Sequence, residues 1–259
     1  MGNNSNSVSF NTGYPKVCMD AYENDEVFNI FKTIPEYTQI LEHTSVEFGQ
    51  NYIDIIKRDN QWLLETELLN KFKTNDLYGS PTTHQYVDFA IVPSTLRYIK
   101  VLSDLTKLFG SLDGFKIAEI GGGYGGQCKI INDCYNIKDY HIIDLHQVNM
   151  LSGKYLNKLN VKNVRHSTND NLNIEEYDLI ISNYAYTELD RNLQDVYKKH
   201  VIDGASNGYI TCNFIIDFAA GGQFDTYSKD ELLNLKNNTQ IMAEEPLTSP
   251  KNFIEFWKK

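Results

Sequence analysis

The sequence predicts an α/β protein of the Rossmann-like class, with helices on both faces of a mostly parallel sheet and a helical subdomain ahead of it. Three observations carry this. Residues 117–130 read IAEIGGGYGGQCKI: an apolar strand end, a glycine-rich turn and the start of a helical pattern. Later apolar runs, at 140–144 and 177–181, each lead into a helical pattern, the βα alternation of a parallel sheet. Between residues 35 and 72, apolar residues recur instead at three- and four-residue steps, as on helices. The division that follows is 1–92 for an N-terminal helical or lid region and 93–259 for the Rossmann-like domain.

The elements are expected in this order. A helix fits 35–58 (Tyr37, Ile40, Leu41, Val46, Phe48, Tyr52, Ile55, Ile56), and a second fits 62–72, with Asp59 or Asn60 as cap. Gly79, Ser80 and Pro81 mark a loop that carries His84. Pro93 opens a helix with Leu96, Ile99, Leu102 and Leu105 on its apolar face. The first strand of the sheet starts at Phe115. The second covers 140–148 and ends at Asp144, with a helix over 148–159. A third strand at 161–164 runs into a polar loop of His166, Ser167, Thr168, Asn169 and Asp170. The fourth strand starts at Tyr177 and leads to Asn183, Tyr184, Glu188 and Asp190. Then come a helix over 192–201, a fifth strand over 208–214 followed by Asp217 and a Gly221–Gly222 hinge, and a helix over 230–235. Two closing strands, 239–243 and 252–257, are joined by a connection holding Pro246 and Pro250.

Composition excludes several classes of partner. Net charge is −10 and the pI about 5.1, against a nucleic-acid partner and against adsorption to an anionic membrane. The four cysteines, Cys18, Cys128, Cys134 and Cys212, form no C-x-x-C and no zinc spacing. They read as free thiols, and no metal is predicted. The first ten residues lack the basic and apolar regions of a signal peptide, and no run approaches a membrane span. A cytoplasmic location is expected.

Two ligands compete for the glycine turn. Gly121, Gly123 and Gly126 fit the dinucleotide spacing G-x-G-x-x-G. Glu119, Gly121, Gly123 and Gly125 fit the E-x-G-x-G-x-G pattern of class I methyltransferases that use S-adenosylmethionine. Glu119 favours the second. A carboxylate at this place repels a diphosphate, whereas the cofactor's ammonium group is cationic and carries no phosphate. Asp144, about 20 residues beyond the turn, suits the ribose hydroxyls.

The sequence resembles the sugar O-methyltransferases of the class I S-adenosylmethionine-dependent group. The matching stretches are PSTLRYIKVLSDL (93–105), EIGGGYGGQ (119–127), DLHQVNMLSGKYL (144–156), ISNYAYTELD (181–190) and EEPLTSPKNFIEFW (244–257). The resemblance implies a seven-stranded methyltransferase sheet whose last hairpin supplies one antiparallel strand. It implies S-adenosyl-L-methionine as cofactor and a small hydroxyl-bearing acceptor, a sugar or nucleotide sugar for surface glycan synthesis. His146 stands where such proteins often have Pro. Another small phosphorylated metabolite as acceptor, a non-catalytic cofactor-binding partner protein and a nicotinamide-dependent oxidoreductase are the alternatives. An oligomer is compatible with all of these.

The expected cofactor contacts are Glu119, Gly121, Gly123, Tyr124, Gly125, Asp144, Leu145, Ser167, Thr168, Asn183 and Tyr184. Tyr124 is expected to close over the cofactor, and Asn183 and Tyr184 to line the methyl pocket. Candidate general bases are His84, Glu188 and Asp190, with Asp217 beside them. His84 is the first choice, since a loop histidine has a near-neutral pKa and precedes the helix that feeds the first strand. Arg97 is read as stabilising that helix or pairing the cofactor carboxylate.

Overall fold

The computed structural model describes residues 12–213 and 225–259. Two short strands, β1 (His84–Gln85) and β2 (Ala90–Ile91), pair as a hairpin. The other seven strands form one sheet: β3 (Lys116–Ile120), β4 (Asp139–Ile143), β5 (Val164–Ser167), β6 (Tyr177–Asn183), β7 (Ala205–Cys212), β8 (Gln240–Ala243) and β9 (Phe253–Trp257). Their order across the sheet is β5-β4-β3-β6-β7-β9-β8. Strands β3 to β7 are parallel, and β9 is antiparallel to both β7 and β8. This is the Rossmann-like sheet expected from the sequence, including the single reversed strand.

Alternation along each strand divides the side chains between two cores. Ile117, Ile142, Leu179, Ile181 and Tyr209 join one apolar cluster; Ala118, Ile120, Ile143, Ile180 and Ile210 join the other. The first cluster is covered by α6 (Pro93–Phe109), α7 (Gly126–Cys134) and α8 (His146–Lys158). The second is closed by α9 (Arg191–Tyr197) and, after residue 224, a short helix at Lys229–Leu232. Burial on both faces explains why the central strands read as continuous apolar runs.

The N-terminal helices pack into the first cluster. They are α1 (Tyr14–Glu23), α2 (Asp25–Ile30), α3 (Pro35–Thr38), α4 (Val46–Asn60) and α5 (Thr66–Lys73). Phe28, Phe31 and Tyr37 are fully buried there, so residues on both sides of the 92/93 boundary share one core. A buried polar hub ties them down. Lys32 Nζ lies 4.0 Å from the centre of the Tyr124 ring and donates to the Asn75 carbonyl at 3.1 Å. Asn75 Nδ2 donates to Thr95 Oγ1 and to Tyr124 Oη, both at 2.9 Å, and Asn75 Oδ1 accepts from Tyr155 Oη at 2.8 Å.

Several boundaries differ from the sequence reading. The helix expected over 35–58 is broken, because Ser45 caps α4 by accepting from the Phe48 amide. The helix expected over 62–72 starts as a 3₁₀ turn, Gln61–Leu64. Asn60 does not cap it with its side chain, which donates to the Ser103 carbonyl and hydroxyl. The third strand begins at Val164, not 161: Asn160 and Asn163 sit at φ 57° and 59°, a left-handed turn that precedes the pairing. His166 and Ser167 therefore belong to the strand and not to the loop after it. The helix after β4 starts at His146, so no proline is needed to open it. Phe214, Asp217 and the Gly221–Gly222 hinge lie outside the described residues.

Candidate functional site

The chain runs outward from β3 to β4 to β5, then returns across the sheet to β6. The crevice between the carboxyl ends of β3 and β6 is therefore the topological switch point, where open α/β sheets bind ligands. The glycine turn leaves β3 on one side of it, and Asn183 and Tyr184 leave β6 on the other.

Asp144, at the end of β4, holds the glycine turn in shape. Its Oδ2 accepts from the Gly123 amide at 2.9 Å and its Oδ1 from the Leu145 amide at 2.7 Å. Each oxygen keeps a second lone pair for a hydroxyl. Burial raises the Asp144 pKa to about 6 even though both amide bonds lower it. Gly123 sits at φ +56°, and a Cβ there would lie 2.8 Å from Leu41 Cδ1. Gly121 sits at φ +76°, and a Cβ there would lie 2.1 Å from that of Ala185. These glycines are thus required by close approach of the chain itself: Leu41 comes from the N-terminal region and Ala185 from the turn after β6. Tyr14 and Cys18 of α1 lie near enough to Asp144 for its charge to raise both their pKa values further, after burial.

Glu119 lies within β3, 2% exposed, with its carboxylate under the turn. It accepts from Tyr140 Oη at 2.9 Å. Burial pushes its pKa to about 8. Burial beneath the glycines favours its neutral, protonated form.

Tyr124 is the clearest departure from expectation. Its side chain is fully buried in the first core, ringed by Phe31, Tyr98, Tyr155 and Lys32. It packs the turn from below and does not close over a ligand. The Ser167 carbonyl accepts from the Asp144 amide and from Asn149 Nδ2, and Thr168 begins the 3₁₀ turn that follows. Leu145 is half-buried against the first core.

A second group gathers across the crevice. Asn183 of β6, Tyr184 directly after it, and Tyr209 and Thr211 of β7 line a narrow cleft with Tyr52, Arg97, Tyr98, Glu244 and Pro246. Tyr184 sits at φ +70°, a costly conformation for a bulky residue that occurs where surroundings force it. Its hydroxyl donates to Glu244 Oε1. Thr248 also holds Glu244, through its amide at 2.9 Å and its hydroxyl at 2.8 Å. Glu188 lies on the turn between β6 and α9, half-buried, accepting from Asn213 Nδ2 at 2.6 Å. Burial raises its pKa.

The other two base candidates fall elsewhere. Asp190 is the N-cap of α9, its Oδ1 accepting from the Leu193 amide at 2.9 Å. His84 is in β1, not a loop, paired with Ile91 in the hairpin that packs Tyr86 against α4. None of His84, Asp190 and Glu188 lines the cleft. The sequence reading missed Tyr52 and Glu244 altogether; the only available signal was Glu244's place in the EEPLTSPK connection. Among the described residues, no cluster of three or more His, Cys, Asp or Glu side chains has the arrangement of a metal site, and no helix is long and apolar enough to cross a membrane.

No protein-family model and no curated protein matches the chain. Solved structures that it is similar to include an S-adenosylmethionine-dependent methyltransferase from Clostridium acetobutylicum, 10% identical, with a TM-score of 0.47 over 61% of this chain and 88% of that one. An rRNA methylase from Streptococcus thermophilus is 16% identical, with a TM-score of 0.44 over 63% of this chain and 96% of that one. A Streptococcus mutans protein solved in complex with SAH is 18% identical, with a TM-score of 0.44 over 62% of this chain and 96% of that one.

Proposed function

We propose that the protein is an S-adenosylmethionine-dependent methyltransferase that methylates a hydroxyl of a small sugar-type acceptor, such as a nucleotide sugar. The observation that carries this reading is the Asp144 carboxylate bonded 2.9 Å from the Gly123 amide at the switch point. A diphosphate needs the amides of such a turn for itself, and here one is already taken by an anion. With Glu119 beneath the same turn, the corner suits a nucleoside that brings hydroxyls and a cation in place of phosphates. Asp144 would hold the ribose hydroxyls, and the glycine turn, Leu145, Ser167 and Thr168 would frame the nucleoside. Glu119 would favour the ammonium group.

When bound, the cofactor supplies an electrophilic methyl group on sulfonium. The chain's own part is to hold an acceptor oxygen in line with it and to take the proton. Asn183 and Tyr184, at the end of β6, would flank that oxygen. Glu188 is the base we favour: it follows β6 at the carboxyl edge of the sheet, burial raises its pKa, and Asn213, just after β7, holds its carboxylate. The sugar class rests on the five resembling stretches. Incubation of the protein with S-adenosylmethionine and a panel of nucleotide sugars, read by mass spectrometry, tests it. One methyl gain on at least one sugar is expected. Tight cofactor binding with no methyl transfer to any acceptor would favour a binding protein instead.

A further inference from the structure

We infer that the cleft at the ends of β6 and β7 is an anion subsite: Arg97 binds a carboxylate or phosphate carried by the acceptor. That the anion belongs to the acceptor rests on the methyltransferase reading; the anion preference of the cleft does not. The chain has four arginines. Three hold two carboxylates each. Arg58 pairs with Asp59 and Glu245, Arg165 with Asp139 and Glu175, and Arg191 with Asp225 and Glu231. Arg97 forms an ion pair with no carboxylate among the described residues, in a chain whose acidic residues outnumber its basic ones by 34 to 24.

Its surroundings are aromatic instead. The guanidinium carbon lies 5.4 Å from the centre of the Tyr98 ring, the Tyr98 hydroxyl is hydrogen-bonded to the guanidinium, and the hydroxyls of Tyr184 and Tyr52 are close enough to influence it electrostatically. Burial raises the pKa of all three hydroxyls, so they remain neutral and do not balance its charge. Lys100, in the same cleft, is neutralised by Asp104 at 2.7 Å. Glu244 also lines the cleft but lies beyond ion-pair distance from Arg97, with its oxygens engaged by Tyr184 and Thr248. A half-buried guanidinium with ring faces and no counter-ion among the described residues costs solvation, and an arriving anion recovers it with charge-assisted hydrogen bonds.

The position indicates which ligand carries the anion. The cleft lining comes from α4, α6, β6, β7, β9 and the β8–β9 connection, with no residue of the glycine turn, Asp144 or the end of β5. It is the half of the sheet away from the nucleoside. The space is narrow, about 20 Å³, the room of about one water. It admits the tip of an anionic group and not a sugar ring.

The test is calorimetry of glucuronate, glucose 1-phosphate and glucose, on wild type and Arg97→Gln, each with and without S-adenosylhomocysteine. Wild type should bind one of the two anions about 10-fold or more tighter than glucose, and Arg97→Gln should lose that margin, the scale of a lost charge-assisted hydrogen bond. The arm that binds tells carboxylate from phosphate. S-adenosylhomocysteine affinity should change less than about 2-fold in the variant, as expected for sites without shared partners. Equal binding of anions and glucose by wild type overturns the inference. So does a variant that loses S-adenosylhomocysteine in parallel, which would assign Arg97 to the cofactor carboxylate. If Arg97→Gln does not fold, Arg97→Lys, which keeps the charge and loses the fork, should bind the anion with intermediate affinity; unchanged affinity overturns the fork recognition. Failure of wild type to bind S-adenosylhomocysteine would count against the methyltransferase reading alone, since the anion titration is also run without it.

Discussion

Replacing Glu119 by glutamine removes the most displaced acid of the glycine corner. Burial raises its pKa from 4.5 to about 8, against a hydrogen bond from Tyr140 that lowers it. The native state therefore holds this proton more tightly than the unfolded chain does. The sign follows directly: the contribution to stability is complete below about pH 4.5, is lost as pH rises towards 8, and is constant above that. A difference of about 3.5 units at about 1.4 kcal/mol each sets an upper bound near 5 kcal/mol on the loss. Glutamine keeps an oxygen to accept from Tyr140 and has no proton to lose. Its extra N–H donors need partners, a pH-independent cost of about 1 kcal/mol. Urea unfolding of both proteins from pH 5 to pH 9 measures the difference. The variant should be equal or slightly less stable at pH 5 and gain about 3–5 kcal/mol on wild type by pH 9. Parallel pH profiles would refute the reasoning and mean that the carboxylate is solvated or paired in the native state.

Asp144→Ala should weaken S-adenosylhomocysteine binding by about 1–3 kcal/mol, the cost of unpaired polar partners; intact affinity with lost turnover would move Asp144 to the acceptor. Glu188→Gln should lower turnover roughly 100-fold with cofactor affinity unchanged, whereas His84→Ala, in the β1–β2 hairpin, should leave turnover within about 3-fold; the opposite pattern in steady-state kinetics would restore His84 as the base. Gly123→Val should destabilise the fold by about 2–4 kcal/mol, because a β-branched residue at φ +56° is strained and its Cβ meets Leu41 at 2.8 Å. Loss of binding in that variant would therefore not localise the cofactor, and an unchanged melting temperature would show that Leu41 yields.

The sheet was legible because its signals are local. Buried parallel strands must be apolar on both faces, and the Ile-rich runs of β3, β4 and β6 say so. The glycine turn announces its left-handed backbone, and Asp144 follows it at a distance set by one helix. Contacts between distant parts of the chain were not legible. Leu41 and Gly123 are 82 residues apart, and no pattern within either segment brings them together. Arg97 and Glu244 share a cleft only because β9 runs antiparallel beside β7 and returns the β8–β9 connection to the end of β6. Tyr124 shows the limit of reading a motif: the turn can be recognised, but whether its aromatic points up to a ligand or down into the core depends on Asn75, Lys32 and Tyr155, which lie outside it.

The most direct test of the central claim is equilibrium binding of S-adenosylhomocysteine and of nicotinamide adenine dinucleotide to the wild-type protein, by calorimetry under the same conditions. The account predicts saturable one-site binding of S-adenosylhomocysteine, weakened in Asp144→Ala, and no saturable binding of the dinucleotide. Preference for the dinucleotide would contradict it.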